Sequence, residues 1–179
     1  MTLTDVNILS SQRQAGTGKE GHAMHHILFI CHGNICRSPM AEFIMKDLVT
    51  KAGLAGQFDI ASAAATTEEI GRDMYPPAKR KLREKGVPFA PRAARLITPA
   101  DYAAADVIPV MDRENLRRLA RLLGPDREGK IRLVMEYAGE RREVADPWYT
   151  GDFETTYQDL LRACTGLLAA CREGGLPGK

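Results

Sequence analysis

The stretch 27-ILFICHGNICRSP-39 decides how the rest of the chain is read. Its first four residues are continuously apolar, the pattern of a strand buried on both faces, and they run straight into Cys31. At the other end Ser38 is a good N-cap and Pro39 suits the first helical position. Ala41, Ile44, Met45 and Leu48 then share one apolar face. The segment predicts a strand, a tight loop and a helix. Such a loop lies beyond the carboxyl end of a strand, where the next helix aims its unpaired N–H groups outward.

The residues of the loop suit an anion. Gly33 permits backbone angles that other residues resist, and Asn34 also tolerates the left-handed region. Successive N–H groups from His32 through Cys36, with Ile35 between, can then turn inward as a nest for phosphate oxygens. Arg37, six positions after Cys31, closes the ring with a planar bidentate fork that matches phosphate geometry. Cys31 lies at the bottom among N–H dipoles, a helix N-terminus and a guanidinium, all of which favour thiolate over thiol. Ser38 is placed to donate a hydrogen bond to the sulfur when it leaves. A cysteine and an arginine at this spacing also occur by chance, as a buried strand end and a surface charge. Here the spacing comes with Gly33, Asn34, Ser38, Pro39 and the flanking elements, so the turn reads as a phosphate holder over a nucleophilic sulfur.

Outward from the loop, short apolar runs alternate with helical periods. Phe58–Ala61, Ala105–Met111 and Ile131–Met135 read as further strands. Pro77–Lys85 is a basic helix ended by Gly86, and 113-RENLRRLARLL-123 places Leu116, Leu119, Ala120 and Leu123 on one side. Asp152 caps a last helix whose stripe contains Cys164 and Cys171. The expected fold is α/β: three layers, α/β/α, with a four-stranded parallel sheet and the phosphate loop after the first strand. The 179 residues suit one domain from residue 24 to 179, preceded by a polar, flexible tail over residues 1–23. Met24 offers an alternative start. His22, His25 and His26 read as solvated, so no metal site is expected, nor a cofactor.

A net charge of +2 gives no reason to expect nucleic acid or an anionic membrane as a partner. Four cysteines, with none between Cys36 and Cys164, do not make a disulfide framework. With no apolar run long enough for a membrane span or a signal peptide, the expected location is the cytoplasm.

CHGNICRSP resembles the phosphate loop of the low-molecular-weight protein tyrosine phosphatases. The resemblance extends to 146-DPWYTGDFETTYQDLL-161, similar to that family's late acid loop and final helix, to Ser62 in DIASAAA, and to 111-MDREN-115. It implies Cys31 as nucleophile, Arg37 as binder of the phosphate and transition state, Ser38 as thiolate partner and Asp146 as general acid. Asn34 and Ser62 become loop supports. The implied substrate is a phosphotyrosine protein or a small aryl phosphate, acted on by a monomer or weak dimer. The residues argue for Asp146 independently. A phenolate leaving group needs a proton donor, Pro147 forces Asp146 into extended geometry, and a carboxyl beside a phosphoryl dianion holds its proton more tightly. Trp148 and Tyr149 would form an apolar wall for an aromatic ring.

Three rivals share the scaffold. An arsenate reductase needs resolving cysteines on a mobile mid-chain segment, which this chain lacks, and seven helical residues hold Cys164 and Cys171 about 10 Å apart. A protein-arginine phosphatase tends to carry Thr where Ile35 stands, and a non-catalytic phosphate binder has no use for Asp146. Cys36 either forms a protective disulfide with Cys31 or simply packs. His32 is expected to be a solvent-facing spacer more than a tuner of the sulfur. The pattern departs from the family at Trp148, where a tyrosine is usual, and at Thr67-Glu68-Glu69, where an aromatic rim is usual. The arginines of 92-RAARL-96 read as solvated or structural, leading toward the third strand.

Overall fold

A computed structural model describes residues 23–176. Apart from Ala23, the expected tail lies outside the described residues, as does His22. His25 and His26 open the first strand, the ring of His25 against Phe58 and that of His26 3.1 Å from the Asp59 carboxylate.

Four strands, β1 (His25–Cys31), β2 (Phe58–Ala64), β3 (Ile108–Val110) and β4 (Ile131–Leu133), form one parallel sheet in the order β2-β1-β3-β4. Side chains alternate across β1 with the period of two that a strand imposes. Ile27, Phe29 and Cys31 enter the larger core, and Leu28 and Ile30 enter the smaller one on the opposite face. Phe29 and Ile30 are fully buried, each worth roughly 1.5–3 kcal/mol of transfer free energy.

Helices α1 (Arg37–Lys51), α2 (Pro76–Glu84) and α6 (Phe153–Arg172) cover the first face, and α3 (Pro99–Ala104) and α4 (Arg113–Leu123) the second. Of the predicted apolar side of α4, Leu119 is buried with Leu116 and Leu123 packed beside it, while Ala120 is exposed. The three-layer α/β/α arrangement read from the sequence is the observed one.

The boundaries moved for identifiable reasons. β2 runs three residues further than expected, to Ala64, because Cys31 pairs with it in register. The expected fourth strand stops at Leu133, and Val134–Ala138 becomes a 3-10 turn pressed onto α6. Gly166 allows that contact, since a Cβ there would lie 1.8 Å from the Tyr137 carbonyl oxygen. Ser38 is not the cap of α1. The helix starts at Arg37 behind Cys36, so the Ser38 side chain is inside the first turn and fully buried. Helix α3 was not anticipated; Thr98 and Asp101 cap it reciprocally. Nor was α5 (Pro147–Thr150), a single turn capped by Asp146.

In this strand order the chain leaves β1 toward β2 on one side and returns to β3 on the other. The carboxyl ends of β1 and β3 therefore flank a crevice at the point where the order reverses, the usual ligand position in open α/β sheets.

Candidate active site

Cys31 ends β1 and is held there by the residues that follow β2. The Ala65 N–H donates to the Cys31 carbonyl at 2.9 Å, and Thr66 donates to the His32 carbonyl through both its N–H and its hydroxyl. Beyond that point the chain turns sharply. Asn34, at φ 60°, is the one non-glycine residue with positive φ among those described. The left-handed position thus falls on Asn34, where the sequence pointed first to Gly33. Gly33 has a different duty, because the Glu69 side chain crosses it and an added Cβ would lie 3.0 Å from Glu69 Cγ.

The turn brings the Asn34 N–H to 3.3 Å from the Cys31 sulfur. The Ser38 hydroxyl lies 3.0 Å from the same sulfur. Asn34 Nδ2 donates to Ser38 Oγ and to Ser62 Oγ, both at 2.9 Å, so the Ser38 proton is left to point at sulfur. Ser62 in turn donates to the Glu42 carboxylate at 2.5 Å. On its other side Asn34 accepts at Oδ1 from Arg92 Nη2 and from the Arg95 N–H, while Arg92 Nη1 donates to the Asn34 carbonyl at 2.7 Å. Donors alone surround Oδ1 and hydroxyls surround Nδ2, which fixes the orientation of the amide.

Glu42 and Arg92 were not singled out as site residues from the sequence. Nothing in the sequence marks the first, whose burial follows only from the fold. For the second, 92-RAARL-96 read as structural, and Arg92 is structural in a specific sense: it clamps the left-handed residue of the loop. Burial lowers the proton affinity of its guanidinium, partly offset by Glu42 and Cys31.

Arg37 closes the loop from above. Its Nη1 donates to Asp112 at 2.8 Å and to the Val144 carbonyl at 3.0 Å, and its Nη2 donates to Asp146 at 3.2 Å. Burial alone would lower its proton affinity, but Cys31, Asp146 and Asp112 outweigh it and hold the guanidinium charged more firmly than usual. Asp112 is a further site residue that was not assigned a role; it caps α4 through the Asn115 N–H and lies within the 111-MDREN-115 motif. Asp146 has the extended backbone expected before Pro147, with ψ 112°, and its second oxygen accepts from the Trp148 N–H at 3.0 Å.

These residues surround a cleft lined also by His32, Ile35, Cys36, Glu68, Glu69, Trp148 and Tyr149. His32 is more than a spacer: its Nε2 lies 2.8 Å from Glu68 at the rim. Cys36 is buried, and burial together with the nearby Cys31 and Asp146 pushes its thiol up, away from ionisation. Cys164 and Cys171 are buried in the large core, the Cys164 thiol directed at the Ala41 carbonyl. They occupy no mobile segment beside Cys31. Among the described residues no cluster of His, Cys, Asp and Glu is arranged to hold a metal, and no helix is long and apolar enough to cross a membrane.

A sulfur under a strand-to-helix loop, closed by an arginine of that loop and faced by a carboxylate from a distant segment, defines the class of cysteine-based phosphate-loop proteins. Comparison with known proteins narrows that class. The family model for low molecular weight phosphotyrosine protein phosphatase matches residues 26–175. The low molecular weight protein-tyrosine-phosphatase YfkJ of Bacillus subtilis is 36% identical over 84% of this chain and 97% of its own length. The human low molecular weight phosphotyrosine protein phosphatase is 36% identical over 82% of this chain and 95% of its own. The crystal structure of YfkJ superposes with a TM-score of 0.81, covering 85% of this chain and 97% of that one. That of the Streptococcus pyogenes enzyme SP-PTP gives 0.74 at 35% identity, covering 82% and 92%. The chain belongs to the low molecular weight phosphotyrosine protein phosphatase family.

Proposed function

We propose that the protein is a low molecular weight protein tyrosine phosphatase whose catalytic unit is the single domain from residue 24 onward, and that it hydrolyses aryl phosphate monoesters on phosphoproteins by two displacements at phosphorus. In the first, the Cys31 thiolate attacks phosphorus, a P–S bond forms, and the P–O bond to the tyrosyl oxygen breaks as Asp146 delivers its proton to that oxygen. In the second, Asp146 takes a proton from water, the water oxygen bonds phosphorus, and the P–S bond breaks. Ser38 then stabilises the departing sulfur through its hydrogen bond. Arg37 and the loop N–H groups face the three equatorial oxygens, where negative charge accumulates in both steps. Asp112 and Val144 orient Arg37, while Ser62, Glu42 and Arg92 hold Asn34.

The observation that carries this reading is the convergence on Cys31 Sγ of the Ser38 hydroxyl at 3.0 Å and the Asn34 N–H at 3.3 Å. Both stabilise a sulfur anion, as attacking group and as leaving group. Hydrolysis of two aryl phosphates that differ in leaving-group basicity tests it. Cys31→Ser abolishes turnover. Asp146→Ala lowers kcat about 10²- to 10⁴-fold for phenyl phosphate and much less for 4-nitrophenyl phosphate, whose leaving group needs no proton. Turnover that survives Cys31→Ser overturns the mechanism.

A further inference from the structure

Past Trp148 the catalytic cleft adjoins a second depression. An open groove runs between α2 and the start of α6. Its floor is aromatic: the Tyr75 ring centroid lies 4.7 Å from that of Trp148 and 6.2 Å from that of Phe153. Trp148 borders both depressions and is half exposed, so an occupant of one touches the occupant of the other across a single indole.

Charges along this groove are mostly matched within the protein. Lys81 donates to Glu84 at 2.6 Å and to Glu154 at 2.9 Å. Asp152 is engaged by the Thr155 N–H and hydroxyl as the cap of α6. Arg80 is the exception, since among the described residues no ion pair or hydrogen bond engages its guanidinium. Glu68 and Glu69 line the catalytic cleft and not the groove, and each already faces a base, His32 at 2.8 Å and Arg72 at 3.1 Å.

From this asymmetry we infer that the groove takes the peptide segment flanking the phosphotyrosine, with an apolar side chain on the aromatic floor and a carboxylate at Arg80. The inference rests on the tyrosine phosphatase reading and names a substrate class for it. Extended peptide advances about 3.4 Å per residue, so residues two or three places from the phosphotyrosine span the groove. A guanidinium with no partner of its own offers both edges of its fork to a carboxylate. An acidic residue placed on the other side of the phosphotyrosine would instead meet Glu68 and Glu69. The groove therefore selects for the side of the peptide that carries the acid as well as for its presence.

The chain has one tryptophan, Trp148, so its fluorescence reports occupancy at the junction. The full chain carrying Cys31→Ser is titrated with phosphotyrosine amide and with phosphopeptides bearing Leu and either Glu or Lys two and three residues to one side, in both directions. In one direction the Glu peptide binds about three- to fivefold more tightly than the Lys peptide, the scale of one partly exposed ion pair, and the ratio shrinks in high salt. Arg80→Gln removes the preference and Arg80→Glu inverts it. Neither changes the affinity for phosphotyrosine amide, or aryl phosphate turnover when Cys31 is intact. A Glu-to-Lys ratio that both Arg80 variants leave at its original value overturns the proposal. Absence of aryl phosphate turnover by the intact chain overturns the phosphatase reading instead, and the peptide titration still reads the groove.

Discussion

Beneath the Cys31 sulfur and around its mouth, the same cleft is built on opposite terms. Asn34 and Ser38 are fully buried and Ser62 nearly so, and their side chains are tied to each other, to Glu42 or to Arg92. Trp148 is 49% and Tyr149 83% exposed, and the Glu68 carboxylate that meets His32 at the rim is open to solvent. A buried polar group left unmatched costs about 1–3 kcal/mol, whereas an exposed ion pair is worth about 1 kcal/mol or less. The lower region therefore has one arrangement open to it and the mouth has several. Chemistry requires the first property, and recognition of varied peptides tolerates the second.

The largest expected effect that tests this contrast belongs to Arg37→Lys. The guanidinium, almost wholly buried, feeds three acceptors at once, which an ammonium cannot reproduce in the same plane. Turnover of an aryl phosphate should fall about a thousandfold, the scale seen when one preorganised donor at a developing charge is lost. A loss no greater than that from changing the rim would erase the distinction between the two regions.

Asn34→Ala probes the lower region through stability. Alanine at φ 60° costs roughly 1–2 kcal/mol, and loss of the amide leaves the half-buried Arg92 guanidinium short of one acceptor, about 1–2 kcal/mol more. Urea unfolding should show a loss of about 2–4 kcal/mol. Asn34→Gly relieves the backbone part alone, so the difference between the two variants separates strain from hydrogen bonding. If both unfold with the wild-type midpoint, the network under the loop does not hold it.

What the sequence revealed of this site follows the same division by distance along the chain. Cys31, Asn34, Arg37 and Ser38 sit in one turn, so strand and helix patterns around them were enough to place them together. Asp146 came from the chemistry of Asp-Pro and from family likeness. Arg92 stands 58 residues from Asn34, and Glu42 stands 20 from Ser62. Nothing local marks such partners, because each makes sense only once β2 and the segment before α3 have folded under the loop. Gly33 and Ser38 show the other limit. Both residue types were flagged for the right loop, yet the left-handed angle fell to Asn34 and the capping hydroxyl turned to sulfur. Composition named the parts, and which part took which duty depended on contacts with Glu69 and Cys31.

The smallest expected effect lies at the rim. Glu68 is mostly exposed and its partner is His32 at 2.8 Å, a geometry that contributes little to stability because solvent screens it and two side chains must be ordered to make it. Glu68→Gln should leave the unfolding free energy within about 0.5 kcal/mol of the original. Turnover of 4-nitrophenyl phosphate, which is too small to lean on the rim, should change by less than about twofold. Peptides with a lysine beside the phosphotyrosine should lose more, through KM, since attraction to the rim acts equally on bound substrate and transition state. A change in kcat of the size expected for Arg37 would place Glu68 within the chemical machinery, joined to the sulfur through His32, and the boundary between the two regions would have to be redrawn one residue further out.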